Sequence, residues 1–340
     1  MDRRAVITII LLILLVSLPF IHTADIWAKS FVIKIATLAP EGSSWMKTFD
    51  TLNRELAEQT KNKVKLKIYP GGILGDETDM LRKMKIGQIN GAALTSGGLS
   101  VLFKEINVLQ IPFLFQNYGE VDYVLAKMDS FFKKGIENNG YVLLGWSEAG
   151  FIHMMSNTPI FSVSDLHKVK VWICEGSPMA EAIFDEAGVA AIPLSIPDVL
   201  IGLQTGLVDV VHTPPTGAIS LQWFTKVKYI TDVPLAYLAA GVVVKKNVFE
   251  RIPQPFQITL KESFPRHLDQ LKSVTRKENQ EAIEVMANHG VKIISLEKDQ
   301  INEFKKLSNK AMGRLIGKTF SQKALDEVYS HLETYRKEGK

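Results

Sequence analysis

The side chains able to do chemistry are few and scattered. Glu148, Glu175 and Asp198 are carboxylates that could pair as general acid and base, but nothing in their spacing brings two of them together. His153, His212 and His289 are too far apart to read as a metal cluster. "PGGILG", Pro70 to Gly75, follows a strand and resembles half of a glycine-rich loop. It lacks the further elements that cradle a phosphate, so a tight turn needing positive φ is the simpler reading. There is no G-x-S-x-G elbow, phosphate loop, dinucleotide fingerprint or H-E-x-x-H. Cys174 is the single cysteine, which excludes an intramolecular disulfide and a thiolate metal cage. The chain does not read as an enzyme, and no cofactor is implied.

The elements that must position these residues follow an α/β pattern. Phe31 to Ala36 is a compact strand, and Trp45, Phe49, Leu52 and Leu56 follow at helical spacing, with Ser43 or Ser44 as N-cap. Val64 to Tyr69 is a second strand, Asp76 to Ile86 a helix and Gly91 to Thr95 a strand of small residues. Further strands are expected at Tyr141 to Ser147, Lys170 to Ile173, Val208 to His212 and Val242 to Val244. This alternation predicts parallel or mixed sheets covered by helices. From Gln254 to Gly290 the sequence is helical and nearly free of punctuation, long enough to cross more than one lobe, and two further helices lie between Lys298 and Lys337. In open α/β sheets ligands bind beyond the carboxyl ends of the strands. The turns after Ile35, Leu94, Ser147, Ile173 and His212 are therefore the places to look.

The N-terminus indicates the compartment. A basic-leaning lead, Met1 to Arg4, precedes an apolar run from Ala5 to Ile21 and then small residues at Ala24, Ala28 and Ser30. That is the order of a secretory signal peptide over residues 1–28, cleaved after Ala28; the competing reading is an uncleaved membrane tether. A periplasmic location follows from either. The formal net charge of +4 is spread along the chain without a basic block, so nucleic-acid binding has no support.

Four segments together carry a family resemblance: "PGGILGDETDMLRKMKIGQING" (Pro70 to Gly91), "INVLQIPFLFQNY" (Ile106 to Tyr118), "GWSEAGFIHMMSNTPIFSVSDLHKVKVW" (Gly145 to Trp172) and "PDVLIGLQTGLVDVVHTPP" (Pro197 to Pro215). In this order and spacing the chain resembles the substrate-binding (P) subunit of tripartite ATP-independent periplasmic (TRAP) transporters, the dicarboxylate-binding-protein-like (DctP-type) family. The resemblance runs from about Phe31 to the C-terminal helices. It implies a two-lobed periplasmic binding protein fold, with mixed sheets covered by helices, hinge strands and one long helix spanning both lobes. Lobe one would hold 31–149 plus 238–277, and lobe two 150–237 plus 278–340. It also implies a transport role: capturing a small-molecule solute in the cleft and delivering it to the membrane permease subunits of the transporter.

The sequence departs from the family where the ligand would bind. The resemblance implies an arginine in the strand matching Lys170 to Ile173, because a planar guanidinium pairs with a carboxylate through two hydrogen bonds. Trp172 stands there instead. A second arginine is replaced by Ile152, an asparagine before proline by Thr213, and a polar stretch near the second hinge by Val233-Pro234-Leu235. The expectation is a neutral or hydrophobic solute in a hydrophobic ligand pocket, with Trp172 walling it and Ile152, Ile196 and Leu235 on its apolar sides. Thr95, Ser96 and Thr213 would give the few orienting hydrogen bonds, and Trp45 would contribute from lobe one. The alternative keeps an organic acid and relocates the cationic anchor to Lys170, His153 or His212, with a cation bridging to Glu175 or Glu148. By strand parity Lys170 would share a face with Trp172. A third reading is a sensory or interaction protein on the same fold.

Overall fold

The computed structural model of the protein describes residues 30–339, so the expected leader lies outside the described residues. The first third alternates strand and helix: β1 (Phe31–Thr37), α1 (Ser44–Gln59), β2 (Val64–Tyr69), α2 (Glu77–Lys85), β3 (Gly91–Thr95) and α3 (Ser96–Leu102). A 3-10 turn over Lys104–Gln110 leads to α4 (Tyr118–Asn138) and to the 16-residue strand β4 (Tyr141–Ser156). Short elements follow: α5 (Val163–Leu166), β5 (Trp172–Cys174), α6 (Pro178–Glu186), β6 (Ile192–Leu194), α7 (Val199–Thr205), β7 (Val210–Thr213), α8 (Pro215–Ser220) and β8 (Tyr229–Thr231). The chain returns along β9 (Ala236–Lys245) and turns through α9 (Lys246–Phe249) into the 35-residue helix α10 (Gln254–Asn288). It ends in β10 (Lys292–Ile294), α11 (Lys298–Leu315) and α12 (Gln322–Lys337).

Local chemistry accounts for the first elements. The Ser43 hydroxyl accepts from the Met46 N–H at the start of α1, whose Met46, Phe49, Leu52 and Leu56 are buried on one face. Asp76 caps α2 in the same way through the Asp79 N–H. Between β2 and α2, Gly71, Gly72 and Gly75 take φ values of +62°, +68° and +91°, so "PGGILG" is the tight turn its glycines require.

Two lobes share one sheet system. In the first, β1 pairs in parallel with β2 and β3, and β3 pairs antiparallel with β9. β4 lies antiparallel beside β9 from Tyr141 to Ile152, with register shifts at Leu143/Gly145 and Glu148/Gly150. Beyond the second shift, β4 pairs antiparallel with β7 and β8, and β10 joins β8 in parallel. One long strand therefore runs from the first lobe into the second. The expected strand at 141–147 is only its first half, because alternation is lost where β4 is buried on both faces. Helix α10 also serves both lobes: Phe256, Leu260, Phe264, Leu268 and Leu271 enter the core of the first, and Met286 enters that of the second.

Two sequence expectations differ from the structure. The strand expected at Lys170 to Ile173 begins at Trp172, after an isolated bridge between Val171 and Val210, so the parity argument for Lys170 does not apply. Helix α12 rests on α4 and the 104–110 turn, although the resemblance grouped 278–340 with lobe two. Arg336 pairs there with Glu120, and Ser321 donates to Glu105.

Candidate functional site

The carboxyl ends of β1 and β3 face β5, β7 and the turn after β6 across a cleft. Its floor is formed by β4, β9 and α10. Three hollows of about 180, 160 and 140 Å³ run through it in sequence. The first and second share Thr95, Ile196, Thr213 and Leu238. The second and third share Gln110, Ile152, Ser177 and His212. The three hollows therefore adjoin one another across these shared walls, as an inner, a middle and a side compartment of the cleft.

Seven of the nine sequence-predicted residues line this space. Trp45 lines the inner hollow, Thr95, Ile196 and Thr213 the inner and middle, Trp172 the middle, Ile152 the middle and side, and Leu235 the side. Ser96 does not line the cleft: it is fully buried beneath the start of α3, where its hydroxyl has no partner. Lys170 is exposed outside the cleft, and its ammonium donates to the Gly206 carbonyl.

Trp172 is held from two sides. Its indole N–H donates to the Leu194 carbonyl at 3.0 Å, and its ring lies 5.0 Å from His212 and 5.2 Å, edge-on, from Trp223. At 3% exposure it is both a core residue of the second lobe and a wall of the middle hollow. His212 sits between Trp172 and Phe184, and burial lowers its pKa from 6.5 to about 4. It presents a neutral imidazole at neutral pH.

The polar side chains of the cleft are hydroxyls, carboxylates, the amides of Asn107 and Gln110 and the His212 imidazole. Glu77 accepts from the Thr95 N–H at 2.5 Å, the Thr95 hydroxyl at 2.8 Å and the Gly98 N–H at 2.9 Å. Burial nevertheless raises its pKa. The Thr95 hydroxyl proton is thus committed, which leaves Thr95 an acceptor toward the cleft. Among the described residues the Thr213 hydroxyl has no hydrogen-bond partner and is free to donate. Glu278, from α10, receives the Ser44 hydroxyl on the inner wall. Among the described residues, no lysine or arginine lines any of the three hollows.

Cations nearby are already paired. Arg276 donates to Glu148 at 2.9 Å and to Asp122 at 2.6 Å, and lies over the Tyr118 ring on the far side of β4. Glu148 is fully buried in that pair and also accepts from the Tyr237 hydroxyl, so it meets neither Glu175 nor Asp198 as an acid–base partner. His153 is spent on the Thr231 carbonyl at 2.8 Å, and burial lowers its pKa. The described residues hold no group of three or more His, Cys, Asp or Glu placed to bind a metal ion. Cys174 is on the middle wall with its pKa pushed up to about 12 by burial, which leaves a thiol of low reactivity.

Sequence reasoning missed Glu77, Glu278 and Trp223, and with them the side hollow. Glu77 carried a signal, since an acid directly after the glycine turn faces the end of β3. The other two come from α10 and the turn after α8, far away in sequence.

Comparison with known proteins agrees with this architecture. Residues 35–319 match the model of the bacterial extracellular solute-binding proteins, family 7. The chain is 28% identical to the 2,3-diketo-L-gulonate-binding periplasmic protein YiaO of Escherichia coli K12, over 72% of this chain and 74% of that one. It is 24% identical to the C4-dicarboxylate-binding periplasmic protein DctP of Rhodobacter capsulatus, over 77% and 79%. Its fold is similar to that of the sugar acid binding protein DctPAm from Advenella mimigardefordensis in complex with galactonate. That match has a TM-score of 0.84 at 18% identity and covers 90% of this chain and 99% of the other.

Proposed function

The chain belongs to the bacterial extracellular solute-binding proteins of family 7, the solute-binding subunits of TRAP transporters, and from that premise we propose that its ligand is a small uncharged solute, largely apolar. The solute is captured between the lobes and handed to the membrane permease subunits. The observation that carries this reading is the lining of the cleft. Among the described residues it holds Asp76, Glu77, Glu175 and Glu278 but no lysine or arginine. A carboxylate ligand would lie beside other carboxyl groups with no cationic partner, at a cost of several kcal/mol. An apolar ligand gains roughly 25 cal/mol per Å² buried against Trp172, Ile152, Ile196 and Leu235. Thr213 and Thr95 supply a donor and an acceptor that orient it.

Calorimetry with benzyl alcohol and phenol, against succinate and glucuronate, tests the reading. Heats that saturate with the uncharged compounds and are absent with the acids support it. Tight binding of either acid contradicts it.

A second reading, an organic acid, draws support from the names of the relatives, which specify diketogulonate, C4-dicarboxylate and galactonate. Here the carboxyl group would have to rest on Thr213 and neutral His212, since Lys170 and His153 do not line the cleft. Acid binding abolished in His212→Ala would favour this reading over the first.

A further inference from the structure

The side hollow differs from the other two compartments. It is bounded by β4, β7, α6 and α11, and it adjoins the middle hollow, with which it shares Gln110, Ile152, Ser177 and His212. Among the described residues no Asp, Glu, Lys or Arg lines it, and its walls include Phe113, Met154, Met179, Phe184 and Phe304. Its volume of about 140 Å³ is close to that of an apolar cavity, about 150 Å³, that stays dry and takes benzene.

One feature points to a compartment that is built rather than left over. Phe113 lines it with a φ of +59°, a left-handed conformation unfavourable for a bulky residue. That conformation is held by the Phe113 N–H donating to the Leu235 carbonyl at 2.7 Å, while the Leu235 N–H donates to the Ile152 carbonyl at 2.8 Å.

We propose that the side hollow receives an apolar arm of the solute, a phenyl-sized ring or a short alkyl chain, while the polar end of the same molecule sits in the inner hollow against Thr213 and Thr95. This rests on the uncharged-solute reading and makes it specific: the ligand is amphipathic and long enough to pass Ile152. The arm displaces no charged group and fills space that water occupies poorly.

The test is a calorimetric series of 1-alkanols from butanol to decanol on the full folded protein, its Ala180→Phe variant and its Ala236→Leu variant. Ala180 and Ala236 line the side hollow from α6 and β9. In the unaltered protein the dissociation constant should fall about fourfold per added methylene and then level off once the hollow is filled. Either variant that retains a cooperative melt should flatten that dependence. A flat series in the unaltered protein, or equal steepness in folded variants, overturns the side-hollow proposal and leaves the uncharged-solute reading standing. Binding of succinate with no binding of any alkanol overturns both.

Discussion

Trp172 donates its indole proton to Leu194 at 3.0 Å, tying β5 to β6, while its ring lies 5.0 Å from the His212 imidazole inside the cleft. One residue thus closes the small sheet of the second lobe and walls the ligand space. Trp172→Phe keeps an aromatic wall and loses one hydrogen bond, costing about 1 kcal/mol in urea unfolding. Trp172→Ala leaves a hole beside Trp223 and costs about 3–5 kcal/mol. It should also weaken solute binding by about tenfold or more in calorimetry, where the phenylalanine variant loses much less.

Arg276 and Glu148 form the main buried ion pair near the hinge. The Glu148 side chain is fully buried and that of Arg276 is 25% exposed. Arg276→Ala should cost about 3–5 kcal/mol, because it strands a buried carboxylate. Adding Glu148→Gln should recover much of that loss, since the stranded charge is then removed. Chemical denaturation of the single and double variants reads the difference.

His212 gives a pH signature. Its folded pKa is about 4, against 6.5 for an ordinary histidine, so the unfolded chain takes up a proton that the folded protein refuses. Its stabilising contribution is complete above pH 6.5, declines as pH falls toward 4 and is level below that. The decline amounts to as much as about 3 kcal/mol. His212→Phe, which keeps a ring between Trp172 and Phe184, should flatten that part of the stability profile. The share from His153, whose pKa burial also lowers, remains.

Gly150 marks the point where β4 leaves the first lobe. Its φ is +115°, and a Cβ there would sit 2.3 Å from the Asn279 amide nitrogen. That amide donates to the Ala149 carbonyl at 2.8 Å, and its oxygen accepts from the Thr216 N–H at 3.0 Å. Gly150→Ala should lower stability by about 1–3 kcal/mol or more. Because Asn279 joins the hinge to α8, the variant should also bind solute more weakly. Thermal melts with and without ligand show both effects.

Much of the first lobe was legible in the sequence, because its elements are local and periodic. β2 and β3 fall at Val64 to Tyr69 and Gly91 to Thr95, where the sequence reading has them, and the helix from Gln254 declares itself through 35 residues nearly free of punctuation, with Pro265 inside it. The three-residue strands β6, β8 and β10 were not legible, since three residues carry no period and their pairing is set by distant partners. Trp172, Ile152, Thr213 and Leu235 could be singled out as departures from a family pattern. Lys170 was misplaced because parity was counted along a strand that had not yet begun. The side hollow could not be foreseen, since β4, β7, β9, α6, α11 and the 110–113 turn assemble it across about two hundred residues.

The most direct test of the central claim is native mass spectrometry of the protein purified from its own periplasm without refolding, followed by release and identification of any bound molecule. An uncharged, amphipathic compound that dissociates more readily from Trp172→Ala is the predicted result. A bound carboxylate such as a sugar acid or a dicarboxylate, held equally well by that variant, would contradict the account.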